Sequence, residues 1–585
     1  MGSTLSYFNA NFEKFCTTKI EKDDPILANL FLNDGNLDEI YAYFSCEIAY
    51  KLVKEHPENY KFLVRLCLNK LMDALSTSDF FPMQLRTVGV VLSRLVTVSH
   101  YDDVRETVKD FFFDGGDDVN AHLATKIVKT AAMILFLPGF TISSRISMEE
   151  KNFQALAWEK GIFVESKRLK APPHAMEHRS VFLRLLLTCY SDAMYSYDTW
   201  STLEFDIPHM GALFVSTFNT LTIFKQPGFM KRLFVSDTFE LLAETCLHTL
   251  ILFWERFPHA DSPNSYPLIY TTITRFFKIF PHASKILFHL FLLKYPQFSI
   301  DIVTMVDVPN LVMMLMDDLD SIAGYILLHL SQHRMFGLQL QDHSSEIVIP
   351  CIAHITKNLD EGVTVMLILM LGNISYQFRN LDQRASHALM KMYHFYESKF
   401  LKNSEDVLRI IRNVLDYQPS KNPSFVYALL QHKFDSEHLN TCKEALRAEL
   451  APIINDGVAP KKIIKHVADM SFAGLFPRAE PVLTKTLVMT EEAIEWLNTF
   501  LLGSIFMGQQ AVLLWDGVYI SRFAVTVLDE DSKEEEGIVA MPTPEEPKEE
   551  VQEVQEEEEE EEEPAVEDTV SDTVEEVLEE KSKRD

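Results

Sequence analysis

The 585-residue sequence predicts an all-α fold, a solenoid-like stack of helices of the HEAT or armadillo type. Three observations lead to this prediction. Hydrophobic residues make up 47% of the chain, with 42 Phe and 22 Met, which is enough for a large core. Only 19 glycines are present, fewer than Rossmann-type and β-rich folds need for their turns. Apolar residues also recur at helical spacing through most of the sequence.

The individual helices are predicted from apolar stripes. The stretch Tyr60–Leu75 carries one stripe, made of Val64, Cys67, Leu68, Leu71 and Leu75. Similar runs are Leu85–Val98, Ala121–Leu137, Arg179–Tyr195, Glu240–Phe257, Ala283–Tyr295, Asn310–Leu330, Glu346–Leu359, Arg384–Phe400 and Glu405–Leu415. Leu241–Trp254 is apolar on nearly all sides, so this helix needs neighbours on more than one face.

The segment closest to a membrane span is Val363–Phe378. It is shorter than the roughly 20 apolar residues that a spanning helix needs, and it contains Asn373, Ser375 and Gln377. A buried helix of a globular core is therefore predicted here.

Turn-forming residues separate the runs at Asp114–Asp118, Pro138–Gly139, Pro172–Pro173, Asp261–Asn264 and Gln418–Pro423. Helix pairs of about 40–50 residues fit the repeats of an α-solenoid. No sequence repeat at one fixed period is visible, so a large irregular helical domain is the alternative.

Three regions are predicted. Residues 1–20 form a flexible amino terminus with a myristoylation pattern, and residues 21–528 form the helical body. The last block of the body, 451–528, contains a β-hairpin at 511–523 around Asp516–Gly517. Residues 529–585 form a disordered Glu-rich tail, because like charges repel and little apolar surface is available.

The net charge of −31 is concentrated in the tail. Residues 529–585 contain 27 acidic and 5 basic residues, which leaves a charge of −9 on residues 1–528. No broad positive field is therefore available for nucleic acid. The seven cysteines, with no CxxC pair, favour a reducing compartment, and no secretory signal peptide is predicted.

The amino terminus matches the N-myristoylation pattern M-G-x-x-x-[ST], which makes Gly2 the predicted lipidation site. A single myristoyl chain binds membranes with a constant of only about 10⁴ M⁻¹, so a second contact is required. No basic cluster follows Gly2. We therefore expect reversible cycling between cytosol and membrane, with an unacylated terminus as the alternative.

The stretch Lys167–Lys170 is the predicted cationic surface site. Lys167, Arg168 and Lys170 would contact an anionic lipid, an acidic partner segment or the acidic tail of the same chain. The alternative is an ordinary solvated loop.

Catalytic chemistry is not predicted. The phosphate-binding loop, dinucleotide-binding, zinc-protease and serine-hydrolase motifs are all absent from the sequence. Cys189 lies among leucines, where a thiol should be buried and inert. The acidic group Asp114, Asp117 and Asp118 is expected to be an exposed turn. We expect packing histidines at His248, His289, His329 and His387. Neither a metal nor another cofactor is predicted.

Several sequence blocks together carry a family resemblance. They are Trp158–Ile162, Leu185–Tyr195, Arg334–Leu340, Ser424–Leu430, and Ser471–Pro477 followed by Pro481–Leu483. They resemble the high-temperature-induced dauer formation (Hid) family, distant relatives of dymeclin. The chain is short for that family, lacks most of a polar insert between Asp435 and Asp456, and adds the acidic tail, which indicates a divergent member.

The resemblance implies a function as well as a fold. Family members are cytosolic helical proteins that are myristoylated at the position of Gly2. They associate peripherally with medial and trans-Golgi membranes and act with other trafficking proteins in sorting and secretory-vesicle formation, without known enzymatic activity. Nucleic acids and small-molecule substrates are not expected partners. The alternatives are a soluble helical-repeat adaptor of the nuclear-transport or chaperone type and, third, an enzyme without a recognisable motif.

Overall fold

The computed structural model describes residues 12–508 apart from short gaps. The gaps are 16, 22–23, 33–34, 36, 78, 115, 117, 148–151, 166–168, 196–199, 201–202, 204, 226–237, 255, 258–262, 358–359, 399–402, 455–457, 478–481 and 487–489. Gly2, the predicted hairpin at 511–523 and the acidic tail lie outside the described residues.

The first half of the described chain contains α1 (Ile26–Asn29), α2 (Leu37–Tyr43), α3 (Cys46–Glu55), α4 (Pro57–Thr77), α5 (Pro82–Ser99), α6 (Asp102–Phe113), α7 (Leu123–Ile134), α8 (Phe153–Leu156), α9 (Ala175–Cys189), α10 (Met210–Ile223), α11 (Thr238–Leu252) and α12 (Tyr266–Arg275). Short 3₁₀ turns lie at Val119–Ala121, Asp192–Tyr195, Pro263–Ser265 and Phe276–Lys278.

The second half contains α13 (Pro281–Lys294), α14 (Pro296–Met305), α15 (Val308–Asp317), α16 (Ser321–Ser331), α17 (Arg334–Leu340), α18 (Ser344–Lys357), α19 (Glu361–Ile374), α20 (Gln383–Ser398), α21 (Ser404–Tyr417), α22 (Pro423–Gln431), α23 (Glu437–Ile454), α24 (Pro460–Asp469) and α25 (Glu491–Gly508). Here 3₁₀ turns lie at Gln341–His343, Ser375–Gln377 and Pro419–Lys421.

The all-α prediction is confirmed. Within the described ranges no β-strand is formed, and the β-type pairing consists of two isolated bridges, Pro138 with Ile142 and Gly161 with Val164. Both bridges lie in the long irregular connection between α7 and α9.

A central row of helices organises the body. Helices α5, α9, α11, α13, α16, α19 and α21 follow one another, and each packs on the next. Every residue from Leu85 to Ser99 in α5 and from His178 to Cys189 in α9 is buried. The apolar Leu241–Trp254 run lies in this row as α11, with neighbours on several sides as predicted. The solenoid geometry itself stays a prediction.

One predicted run is divided in the structure. Apolar periodicity continues through Asn310–Leu330, but the chain forms α15 and α16 with a break at 318–320. The break has a local cause, because the Asp320 carboxylate accepts a hydrogen bond from the Ala323 amide at 2.8 Å and caps α16. The predicted Val363–Phe378 helix is shorter in the structure: residues up to Ile374 lie in α19, which is largely buried as predicted, and Ser375–Gln377 form a 3₁₀ turn.

No single described helix is long and apolar enough to cross a bilayer. One pair, α13 and α14, meets the length and composition criteria together, with a bend of 112° between them. Residues Ala283–Leu292 of α13 are buried in the helical core.

Candidate functional site: a cation-lined pocket beside the basic stretch

The predicted basic stretch is partly described. Lys167 and Arg168 lie outside the described residues, as does Gly2. Lys170 is exposed, and its neighbour Leu169 leaves 48% of its surface accessible to solvent. These two residues belong to the irregular connection that precedes α9.

Leu169 is an exposed residue in the lining of a pocket of about 440 Å³. Residues from the first part of the connection between α7 and α9 and residues near its end line the same space. The pocket is lined by Ile142, Ser143, Arg145, Ile146, Ser147, Ala155, Ala157, Trp158, Leu169, Ala171 and Arg179. Its lining therefore combines apolar side chains with two guanidinium groups.

Arg179 supplies a fixed positive charge to the pocket. Its side chain is 2% exposed, and its Nε and Nη2 atoms donate to the Thr141 carbonyl at 3.0 and 2.8 Å. The guanidinium lies 4.7 Å from the Trp158 ring centroid, and Nη1 is 3.5 Å from a Glu159 carboxylate oxygen. Burial lowers the pKa of Arg179 to about 10, which leaves the group protonated at neutral pH.

The cationic side chains near the opening of the pocket differ from Arg179 in their contacts. Arg145 and Lys170 are both exposed, and neither forms an ion pair with another described residue. Glu159 lies 3.5 Å from Arg179, and Glu165, which precedes Lys170 in the same connection, is exposed. Three exposed residues, Arg145, Leu169 and Lys170, are called the rim of the pocket below. Arg145 and Leu169 line the pocket together with Arg179, and Lys170 follows Leu169 in the chain.

The turn that contains the Trp158–Ile162 block forms part of the pocket wall, and hydrogen bonds hold it in place. The Trp158 indole donates to the Leu135 carbonyl at 3.0 Å, and its amide donates to the Ser216 hydroxyl at 3.2 Å. Asn219 of α10 donates to the carbonyls of Glu159 and Ile162 at 3.0 and 3.3 Å. Two side chains of α10 and a main-chain carbonyl just after α7 thus fix a segment that has no regular structure of its own.

Gly161 is required in this turn because of close packing. Its amide donates to the Val164 carbonyl at 2.9 Å, and a Cβ atom at this position would lie 2.3 Å from Asn219 Oδ1. A larger side chain would therefore displace the amide group that holds the turn.

The Leu185–Tyr195 block is a packing segment. A ring nitrogen of His100 lies 3.0 Å from the Thr188 carbonyl, and the His100 and Tyr195 rings are stacked with centroids 5.7 Å apart. The buried Asp192 carboxylate accepts a hydrogen bond from the Trp200 amide at 2.6 Å. These contacts close the end of α9 against neighbouring loops.

The other reactive side chains are placed as packing residues. Cys189 is fully buried at the last position of α9, and burial raises the pKa of its thiol. Burial lowers the pKa of His248 and of His289 to about 3 and that of His329 to about 4, so these imidazoles are neutral. In the part of the chain that the structure describes, no group of three or more His, Cys, Asp or Glu could hold a metal ion.

The remaining candidates lie at the surface or partly below it. Asp114 and Asp118 are exposed, and Asp118 accepts a hydrogen bond from the Asn120 amide at 3.0 Å, as expected of a turn. Asp117 lies outside the described residues. The ring of the partly buried His387 is 5.9 Å from that of His432.

Sequence reasoning missed Arg145, Arg179 and Asn219. A partial signal was present for Arg179, because it begins the predicted apolar run Arg179–Tyr195, where a charged residue indicates either a helix end or a satisfied buried ion. Asn219 gave no usable signal, because its partners lie 57 to 60 positions earlier in the chain.

Comparisons with known proteins address the same part of the chain. Residues 2–220 match the family model described as Hid1, high-temperature-induced dauer-formation protein. No curated protein and no solved structure gives a significant match. Every residue that lines the pocket lies inside the matched segment, as do two of the sequence blocks that carry the resemblance. Through residues 2–220, the chain belongs to the high-temperature-induced dauer-formation (Hid1) family.

Proposed function

We propose that this chain is a peripheral membrane scaffold on the cytosolic face of medial and trans-Golgi membranes, acting in protein sorting or secretory-vesicle formation. It works by contacts with membrane and proteins, not by catalysis. Family membership supports this proposal, and the rim of the cation-lined pocket carries it structurally.

The rim provides the second membrane contact that a single acyl chain requires. Myristate at Gly2 would bind only marginally by itself. Arg145 and Lys170 each contribute about 1 kcal/mol near an anionic leaflet. Lys167 and Arg168 belong to the same basic stretch and would add to this attraction.

Leu169 favours a lipid surface over an acidic peptide as the ligand of this rim. An exposed leucine between cations can enter the boundary between headgroups and acyl chains while the cations meet phosphates. Arg179 lies deeper in the pocket, where a headgroup phosphate that enters the opening would find a protonated guanidinium.

The proposal is tested first at the lipid. Intact-mass analysis of the native protein should show a myristoyl group on Gly2, and fluorescence microscopy should show a Golgi pattern that is lost in Gly2→Ala. An unmodified terminus, or an unchanged membrane-bound fraction in Gly2→Ala, would refute the lipid anchor.

The pocket rim is tested separately with the full-length chain and vesicles containing 30% phosphatidylserine. We expect Arg145→Ala/Lys170→Ala to weaken binding about 10- to 30-fold, from roughly 1 kcal/mol per charge. Leu169→Ala should weaken it further, while high salt should act on the wild type more than on the double variant.

Matched controls come from another part of the surface. Lys278 is exposed without an ion pair to any described residue, and Leu268 is 37% exposed. Lys278→Ala and Leu268→Ala should each leave vesicle binding within twofold of the wild type. An equal loss in the control and rim variants would show that net charge, and not this site, governs binding.

A soluble helical-repeat adaptor is the second candidate function. The observation that favours it is a non-helical segment of the chain bound to the helical row by the Asn373 side chain. Wild-type activity of Gly2→Ala in secretion would favour the adaptor, because an adaptor does not depend on the acyl chain.

A further inference from the structure

A carboxy-terminal strap crosses the central row of helices. The strap consists of residues 482–486, which have no helix, and of α25. Residues 482–486 contact α19 and α21, whereas α25 packs on α13 and α11. From residue 482 to residue 508, the helices that the strap contacts therefore run from α21 back to α11, which is the reverse of their order along the chain.

Asn373 of α19 binds the strap through its backbone. Its Nδ2 donates to the Lys485 carbonyl at 2.9 Å, and its Oδ1 accepts from the Lys485 amide at 2.8 Å. The carboxamide therefore pairs with both groups of one residue, as a neighbouring strand would. Nδ2 also donates to the Ser331 hydroxyl of α16 at 2.9 Å, which orients the carboxamide.

Arg409 of α21 provides a second backbone contact. Its Nη1 donates to the Leu483 carbonyl at 2.8 Å, and Asp406 lies 3.5 Å from its Nη2. Gly372 leaves the room for this guanidinium, because a Cβ atom at that position would lie 2.3 Å from Nη2. The backbone groups of Leu483 and Lys485 form hydrogen bonds with the two helices, whereas those of Thr484 form none with a described residue. This alternation is typical of an extended chain.

The Leu483 and Thr484 side chains contribute little to the attachment of this segment. Leu483 is 59% exposed, and Thr484 is exposed as well. The helical row therefore recognises an extended backbone and not a particular apolar sequence. An attachment of this kind, with little buried apolar surface, can be exchanged for another segment.

Lys485 also lines a cavity of about 190 Å³ with carboxylates of α21. Glu405, Asp406 and Asp416 contribute to that lining, together with Arg409 and Arg412. Asp406 faces Arg409, and Asp416 is 3.1 Å from a ring nitrogen of His438. Glu405 has no partner among the described residues, so it is the carboxylate available to a basic side chain at this position.

The helical half of the strap is attached differently, through aromatic side chains. The Trp496 ring lies 5.3 Å from that of Tyr325 in α16, and the Phe500 ring lies 6.3 Å from that of His282 in α13. Leu497, Leu502 and Ile505 are buried. Residues 482–486 can therefore leave the groove while α25 stays docked.

We propose that α16, α19 and α21 form a peptide-binding groove, centred on Asn373 and Arg409, which residues 482–486 occupy in cis. The partner is an extended segment of another protein with a basic residue at the register of Lys485. Binding of the partner displaces residues 482–486, so these residues compete with the partner and lower its apparent affinity.

The test uses the full-length chain and a fluorescein-labelled peptide that copies residues 478–490. Lys485→Pro removes the amide N–H that donates to Asn373, so it should weaken the binding of residues 482–486, which compete with the peptide for the groove. Peptide affinity should then rise at least about tenfold, because a tethered competitor acts at roughly millimolar effective concentration. Thr484→Pro is the matched control, since the Thr484 amide has no hydrogen bond to a described residue, and it should leave affinity near the wild-type value.

Three further results decide the proposal. In the Lys485→Pro chain, Asn373→Leu and Arg409→Met should each lower peptide affinity at least about tenfold. A peptide with glutamate in place of the lysine should bind at least about fivefold more weakly. Equal affinity in the Lys485→Pro and Thr484→Pro chains, or undiminished binding after both groove substitutions, would overturn the proposal.

Hydrogen exchange without added peptide, in chains that keep Lys485, provides a second measurement. Asn373→Leu and Arg409→Met should accelerate exchange of the Lys485 amide while α19 and α21 remain protected. Unchanged exchange at Lys485 in both variants would show that the groove does not hold the segment. Protection of α19 and α21 also excludes misfolding as the cause of a loss of binding.

Discussion

Gly161 and Asn219 are expected to be strongly coupled, because one occupies the space that the other needs. Asn219 is fully buried and holds the pocket turn through two hydrogen bonds to main-chain carbonyls. A Cβ atom added at Gly161 would lie 2.3 Å from Asn219 Oδ1 and 2.7 Å from its Cγ. The substitutions Gly161→Ala and Asn219→Ala should therefore damage the same two hydrogen bonds.

The size of the effect follows from those bonds. Loss of two buried hydrogen bonds, with their carbonyls left unpaired, costs about 2–4 kcal/mol. Gly161→Ala should cost about 2–3 kcal/mol, since the Asn219 carboxamide must move away. In the double variant the clashing amide is gone, and the nearest remaining atom is Cβ of residue 219 at 3.2 Å. The double variant should cost little more than Asn219→Ala, which gives a coupling of about 2 kcal/mol.

Urea unfolding of the four proteins measures this coupling, and hydrogen exchange at the Gly161 and Val164 amides locates it in the turn. Additive losses in the double variant would refute the reasoning. Gly324→Ala serves as control, because Met366 Sδ, at 3.0 Å from the added Cβ, can move. That substitution within α16 should change the unfolding free energy by less than about 1 kcal/mol.

Three further predictions concern buried titratable groups. Burial chiefly raises the pKa of Glu244 to about 7, so the folded state binds one more proton than the unfolded state between about pH 4.5 and 7, and stability falls as pH rises through this range. In urea unfolding, Glu244→Gln should flatten this slope and raise the unfolding free energy by about 2 kcal/mol at pH 8. An unchanged slope would contradict this prediction. Lys285 is fully buried, and its Nζ lies 2.8 Å from an Asp318 carboxylate oxygen and 3.0 Å from one of Asp320. In the same assay Lys285→Met should lower the unfolding free energy by about 2 kcal/mol. Asp318→Asn should change it very little, because the Asp318 side chain is 59% exposed. Cys189 and the other described cysteines are buried, so iodoacetamide should label them only in urea, and mass spectrometry of natively labelled protein would reveal an exception.

The helices were predictable from the sequence because apolar spacing is a local property. The run Ala283–Tyr295 corresponds to α13, Pro281–Lys294, and Glu405–Leu415 falls within α21, Ser404–Tyr417. The break between α15 and α16 was missed, since the apolar period continues across it. The cap at Asp320 that causes it is a side-chain hydrogen bond, which hydrophobic periodicity does not report.

The candidate site was predictable only in part. Exposed cations at the basic stretch follow from composition, and Lys170 is indeed exposed. The pocket beside it depends on contacts between distant positions, such as Arg179 with Thr141. Asn373 and Lys485 are 112 positions apart, and neither belongs to a recognisable motif. Polar pairs of this kind leave no periodic pattern, so only the folded arrangement reveals them.

Burial distinguishes the permanent attachments of this fold from the one that can be exchanged. Buried asparagines hold irregular segments in several places: Asn219 holds the turn at Ile162, and Asn422 accepts from the Leu381 amide at 3.1 Å. Ile162 and Leu381 are each 2% exposed, so the hydrogen bonds there are reinforced by apolar burial. At Asn373 the same type of bond holds a segment in which Leu483 is 59% exposed. Removing that segment from the groove therefore costs little beyond its hydrogen bonds, which an incoming backbone can replace one for one.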